Sequence, residues 1–490
     1  MKTIFDKSSP GRRGADLPRP DVPLKLDPSD RIPDQLRRAK PAGLPEVAEV
    51  DVVRHFTNLS RKNFGVDIGF YPLGSCTMKY NPKINEAVAG LPGFANLHPL
   101  LPQLEGGAEL VQGALKVIYN LEQLLCEITG MSAYTMQPMA GAHGEMTGIM
   151  IMAAYHRDKG NDKEFVLIPD SAHGTNPASA AAFGYKVVTI PSADGIMDPE
   201  AFEAALDEMG DKVAGVMMTN PNTVGLFNPH VKRIAADARK VDALMYYDGA
   251  NLNAIMGYAR PVDLGFDIVH LNLHKTFSTP HGMGGPGAGP VGVVEELADY
   301  LPVSRVVQDS NGTLALDYDY PKSIGYIAPF YGNFGVCLKA YTYIVALGGE
   351  GLKRASENAV LNANYLRVKL NDTWKIGHDK PCMHEVVFTS TDKAEAYGVH
   401  TLDVAKALID AGFHPPTVYF PQVVPEALMI EPTETESRET LDAFVEAMNQ
   451  IAKTAAEDPE SLHAAPVTTP VGRLDEVAAA RNLDLVQAEE

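Results

Sequence analysis

Four cysteines, at 76, 126, 337 and 382, are scattered over 490 residues, and no two form a CxxC pair. That scarcity argues against a disulfide framework and against the usual zinc-ligand spacings, so neither a crosslink nor a metal is expected. No run of about 18 apolar residues occurs, which excludes a membrane-spanning helix. The opening stretch MKTIFDKSSPGRRGADLPRPDVP is too polar for the core of a secretory signal. Positive charge is also scarce: 42 Lys and Arg stand against 62 Asp and Glu, a formal net charge of −20. Such a surface argues against nucleic acid and anionic membranes as partners, and a cytoplasmic protein is expected.

What is present changes along the chain. Proline and charge dominate residues 1–60, which reads as an extended arm on another surface, with plain disorder as the alternative. Residues 67–102 read as an ordered loop that lines something. Between Gly106 and Thr129, apolar residues recur at helical spacing, and Gly130 follows as a stop. Apolar runs at 165–168, 186–190, 213–218, 243–247, 268–271 and 291–294 then alternate with helix-like stretches. Strands buried on both faces and separated by helices signal a largely parallel α/β sheet. We therefore expect a large α/β domain over 61–335, a small C-terminal α+β domain over 336–455 and a tail over 456–490.

The densest chemistry lies in HLNLHKTFSTPHGMGGPGAGP, residues 270–290. Lys275 directly follows an apolar strand and precedes a turn of small residues, as a Schiff-base lysine is presented to a flat, phosphate-bearing cofactor. A surface lysine in a glycine-rich loop is the plainer alternative. Asp248 ends the run ALMYYD, 27 residues earlier, at the strand end where α/β sheets bind ligands. An ionised carboxylate there keeps a pyridine nitrogen protonated, and Ala250 is small enough to lie against the ring. The pair points to pyridoxal 5'-phosphate. Gly141 and Ala142, at a strand-to-helix turn, suit phosphate, and His143 is placed to stack on the ring's other face. Glu145 reads as a first-turn acid favoured by the helix dipole. The loops 170–180, with His173, and 219–229, with Asn222 and Thr223, leave strand ends on the same side.

Together these stretches resemble the glycine decarboxylase family, the P-protein of the glycine cleavage system. The resemblance rests on PLGSCTMKYNP (72–82), HPLLP (98–102), GAHGE (141–145), SAHGTNPASA (171–180), MMTNPNTVGLF (217–227), DGANLNAI (248–255), LNLHKTFSTPHGMGGPGAGP (271–290) and IEPTETES (430–437). The length is similar to the half that carries the lysine, subunit 2, in split forms of the family. The resemblance implies fold type I of the PLP-dependent transferases, aminotransferase-like, with a seven-stranded type of sheet. It implies decarboxylation of glycine and transfer of the aminomethyl group to the lipoyl arm of H-protein, with a subunit 1 as partner.

Carried over by position, Lys275 holds the cofactor, Asp248 pairs with its pyridine nitrogen and His143 stacks. Gly141, Ala142, Thr276 and the loop Gly282–Gly287 form a candidate phosphate cup. Thr223 belongs with the cofactor contacts. His274 and His173 are candidates for moving protons, and His98 and Asn222 for meeting the substrate. One departure stands out: Met283 interrupts the family's run of glycines, and a Met is not expected to take glycine's positive φ. The alternatives are another fold-type-I decarboxylase or aminotransferase, and a non-catalytic subunit that completes another chain's site.

Overall fold

The computed structural model describes residues 2–16, 18–19, 21–23, 32–40 and 42–483. Parts of the expected arm and of the expected tail therefore lie outside the described residues. The chain falls into two compact units, Met1–Ile68 and Gly69–Glu490. The first is not wholly extended. It carries α1 (Glu49–Ser60), where Glu49 and Asp51 sit in the first turn and favour the positive end of the helix dipole.

In the second unit, α2 (Gln112–Thr129) follows the helical spacing read from the sequence and ends on Gly130 at φ 80°. A left-handed glycine there lets the last turn close without a Cβ clash. Seven strands form the large sheet: β1 (Ala133–Thr135), β2 (Phe165–Pro169), β3 (Lys186–Ile190), β4 (Val213–Met218), β5 (Leu244–Gly249), β6 (Ile268–Leu271) and β7 (Val291–Val293), in the order β1-β7-β6-β5-β4-β2-β3. Pairings from β3 through β6 are parallel, and β7 alone runs against its two neighbours. The largely parallel α/β sheet expected from the alternation of strands and helices is the one observed.

All six residues of β4 and of β5 are buried. Helices covering both faces demand continuous apolar strands, and each large side chain so buried contributes roughly 1.5–3 kcal/mol. The short strand β1 carries no signal of its own in the sequence, because three residues cannot display a period.

A four-stranded antiparallel sheet follows, made of β8 (Lys375–Ile376), β9 (Val386–Thr389), β10 (Thr417–Val418) and β11 (Ala427–Ile430), in the order β8-β9-β11-β10. It packs around its own core, which includes Trp374, Phe388 and Phe444. The helical stretch Phe334–Leu370 leads into it and is broken at Gly348, whose φ of 63° and ψ of −179° leave the helical region. No helix among the described residues is long and apolar enough to cross a membrane.

Candidate active site

A cavity of about 290 Å³ lies where β2, β4, β5 and β6 end, the C-terminal edge of the large sheet. Lys275 enters it from the turn after β6, and its Nζ donates to the Ser75 carbonyl at 2.5 Å. The N-terminus of α3 (Gly141–Asp158) forms a second side through Gly141 and Ala142. A tight backbone approach fixes that helix end: a Cβ on Gly289 would stand 2.1 Å from the Ala140 carbonyl oxygen, so only glycine fits. The segment before β9 closes a third side with His384 and Glu385.

Asp248 is 3% exposed on the cavity floor. Isolated burial of a carboxylate costs several kcal/mol, which its partners offset. It accepts from Asn176 Nδ2 and from the Ala250 N–H, both at 3.0 Å, and His270 Nε2 stands 3.4 Å away. Burial pushes its pKa up, but His270, the two donors and Lys275 outweigh that and hold it below the usual carboxylate value. Beside it, Glu145 is pushed upward by burial and by the Asp248 charge, although Thr175 and Ser179 hydroxyls donate to it at 2.8 and 3.2 Å. The floor thus holds one ionised carboxylate next to one that favours its proton.

A second carboxylate pair repeats the motif. Glu431, fully buried, accepts from Thr77 Oγ1 at 2.8 and 2.9 Å and from Asn251 and Asn253 amides at 2.8 and 3.3 Å. Glu385 accepts only the Ser75 N–H, at 3.3 Å. Burial pushes both carboxyls up, and repulsion from Glu431 adds to the rise of Glu385, which goes furthest.

The chain shares its pattern with a single family along almost its whole length. Residues 27–318 match the family model described as glycine cleavage system P-protein, and 355–465 match glycine dehydrogenase, C-terminal domain. A probable glycine dehydrogenase (decarboxylating) subunit 2 of Caldanaerobacter subterraneus subsp. tengcongensis is 60% identical over 483 residues, 98% of this chain and 97% of that one. This chain belongs to the glycine cleavage system P-protein family. A P-protein relative of the same description in Thermotoga maritima is 54% identical over 480 residues, 98% of each chain. Among solved structures, an inhibitor-bound glycine decarboxylase (P-protein) shares the fold with a TM-score of 0.71 at 22% identity, over 86% of this chain and 94% of that one. A glutamate decarboxylase from Lactobacillus brevis shares it at 0.64 and 13% identity, over 88% and 97%.

In this P-protein chain, the cavity gathers Lys275, Asp248, Ala250, Gly141, Ala142 and His274, together with His173, Asn222 and Thr223 from the two strand-end loops. Three of the residues expected at the site lie elsewhere. His98 is exposed, binds its own loop through Leu100 N at 3.2 Å, and lines a separate cavity of about 230 Å³ with Phe94 and Phe334. His143 Nδ1 accepts the Met139 N–H at 3.2 Å, so the ring folds back on the turn before α3 and does not line the cavity wall. Thr276 is buried, and its hydroxyl takes the Leu252 N–H at 2.8 Å, tying the lysine turn to the segment after β5.

Others reach the cavity with their polar atoms engaged. Asn222 donates to the Gly195 carbonyl at 2.6 Å and accepts from Val224 and Leu226 N–H groups, which makes it a turn former. The Thr223 hydroxyl donates to the Ser171 carbonyl. His274 is driven down to about 3 by burial and then by Lys275, so it is a neutral imidazole and not a proton donor at neutral pH. His173 is also lowered by burial, and its Nδ1 is 2.8 Å from the Thr175 hydroxyl. The loop 282–287 does not line the cavity, and Met283 does adopt positive φ, 69°, with its side chain 81% exposed. Solvent accommodates the side chain there, at a backbone cost of about 1–2 kcal/mol.

Sequence reasoning overlooked His384 and Glu385 and read Glu145 only as a first-turn acid. Glu145 is four residues after Gly141 and hence on the same helix face, a usable signal that the simpler dipole reading set aside. Nothing local marks Glu385, which reaches the cavity only because the small sheet folds against it.

A flat phosphate-bearing cofactor fits this donor set. Ala140, the N-cap of an 18-residue helix, makes no side-chain cap bond, so the first backbone N–H groups of α3 remain available to an anion. A Cβ at Gly141 would sit 3.0 Å from the Asn272 amide, so the glycine keeps that corner open.

Proposed function

We propose that this chain is the pyridoxal-phosphate-bearing subunit of a glycine decarboxylase, working with a subunit 1 and passing an aminomethyl group to the lipoyl arm of H-protein. One observation carries the reading: Lys275 and a buried carboxylate held ionised, Asp248, share one cavity at the C-terminal edge of the sheet. When bound, the cofactor withdraws the electron pair that the departing carboxylate leaves on the glycine carbon.

Lys275 anchors the cofactor. Asp248 keeps the pyridine nitrogen protonated, oriented by Asn176 and the Ala250 N–H. The start of α3 supplies N–H donors to the phosphate through Gly141 and Ala142. His270 braces the floor: its Nδ1 is 2.6 Å from the Tyr246 hydroxyl, and the neighbouring carboxylate favours the proton on Nε2. Among the described residues lining the cavity Lys275 is the only Lys or Arg, so no guanidinium clamps the substrate carboxylate that has to leave. Neutral groups and a small volume suit an amino acid without a side chain.

The test is exchange of labelled bicarbonate into glycine by the chain supplied with its partner subunit, pyridoxal phosphate and lipoyl H-protein. Exchange is expected; transamination of glycine to glyoxylate without exchange overturns the reading.

A further inference from the structure

The cofactor reading uses the floor of the cavity and leaves the Glu385–Glu431 wall without a task. Glu385 immediately precedes β9 and Glu431 immediately follows β11, and these strands pair with Val386 opposite Ile430. Continuing that register sets the two glutamates directly across from each other, where like charges repel. Their carboxylate oxygens and a His384 ring nitrogen lie within 4.8 Å of one another. His384 is 3% exposed, lines the cavity, and its Nδ1 has no hydrogen-bond partner among the described residues.

The hydrogen bonds divide the pair. Both oxygens of Glu431 are met by donors, as suits the ionised member. Glu385 faces the cavity with one long hydrogen bond, from the Ser75 N–H to Oε2, while His384 Nε2 stands 3.7 Å from Oε1, beyond hydrogen-bond reach, which leaves Oε1 for its own O–H. Other titratable groups face it: Lys275, committed to the cofactor; Cys76, a thiol pushed up by burial; and His384, lowered to about 3 by burial. Lys79 acts on Glu431 and is itself locked to Glu434 at 2.7 Å. Glu145, the other carboxyl that favours its proton, has both oxygens engaged by hydroxyls on the floor.

We propose that Glu385 holds a proton against Glu431 and delivers it to the sulfur released when the aminomethyl group passes to a disulfide. The inference rests on the functional reading above. After CO₂ leaves, the electron pair on carbon attacks one sulfur; a C–S bond forms as the S–S bond breaks. Carbon is oxidised by two electrons and the disulfide reduced. The second sulfur departs as a thiolate and takes the Glu385 proton, which solvent replaces.

The test uses the complete complex with its partner subunit, pyridoxal phosphate and lipoyl H-protein. A wild-type complex that releases no CO₂ from carboxyl-labelled glycine removes the functional reading, and this inference falls with it. With wild type active, Glu385→Gln is expected to keep the glycine-induced absorbance change of the cofactor while turnover falls about 100-fold, and Glu385→Asp to recover part of it. Independently of turnover, the infrared carbonyl band of a protonated carboxyl is expected in the wild-type chain at neutral pH and absent from Glu385→Gln. Turnover of Glu385→Gln within about threefold of wild type, or no difference in that band, overturns the proposal. Loss of cofactor from both the Gln and the Asp variants also overturns it, because the pair is then structural.

Discussion

Two buried carboxylate pairs stand at the cavity of this chain, and they are tuned in different ways. On the floor, Asp248 and His270 sit on strands of the large sheet with Glu145 on α3; on the wall, Glu431 and Glu385 sit with His384 at adjoining strand ends of the small sheet. Each pair contains one carboxylate rich in donors and one that favours its proton. Only Asp248, however, lies below its ordinary value, because His270 and Lys275 add positive potential to its two donors. Glu431 has at least as many donors and still rises, because burial outweighs those donors and the charges of Lys275 and Lys79. Hydrogen bonds orient a buried acid, and the balance of burial against nearby positive charge sets its protonation.

The largest expected effect removes what both pairs serve. Lys275→Ala should leave no cofactor that borohydride can fix to the chain and should lower glycine–bicarbonate exchange by about 10⁴-fold or more, on the scale of losing a covalent catalytic group. Cofactor still fixed in that variant refutes the assignment of the lysine.

Next comes the ionised member of the floor. Asp248→Asn keeps the shape but not the charge, and exchange should fall by about 10²–10³-fold, as when one preorganised electrostatic group is lost. The cofactor's absorbance should shift as its ring nitrogen loses a proton. An unchanged spectrum with unchanged exchange removes the distinction drawn for the floor.

Thermal melting against pH compares the pairs by sign. Asp248 is lowered from 3.8, so its stabilisation is present above that value and disappears as pH falls through the folded-state pKa. Glu385 and Glu431 are raised from 4.5, so theirs is present below that value and is lost as pH rises through the folded-state values. Relative to wild type, Glu385→Gln should therefore gain roughly 1–4 °C between pH 4.5 and pH 8. Parallel curves for the two proteins contradict the raised value of Glu385.

The smallest effect is expected from Glu145→Gln. Glutamine keeps an acceptor oxygen for one of the Thr175 and Ser179 hydroxyls and donates its NH2 to the oxygen of the other, so exchange should change by less than about tenfold, a difference of roughly 0.5–1.5 kcal/mol. A loss as large as that of Asp248→Asn shows instead that Glu145 carries a proton the reaction needs.

Much of this was readable beforehand. Six of the seven large-sheet strands coincide with apolar runs, five because strands covered on both faces must be apolar throughout, while the edge strand β3 is only partly buried. Lys275 and Asp248 were readable because a strand end marks a place as well as a residue type. His143 and Thr276 stand next to the expected segment but outside the cavity lining for a common reason: their polar atoms close on neighbouring backbone. Chain position predicts proximity, not the direction of a side chain.

The sequence by itself determined the family, the alternation that builds the sheet, and the lysine and aspartate set at its edge, because each is written in residues local to one strand and its turn. Tertiary structure alone decided which carboxyls keep their protons. Glu385 and Glu431 are 46 positions apart and meet only through the pairing of β9 with β11, while Ser75 and Thr77 reach them across more than 300 positions. Protonation depends on burial and on neighbouring charge, and in this chain both come from distant segments.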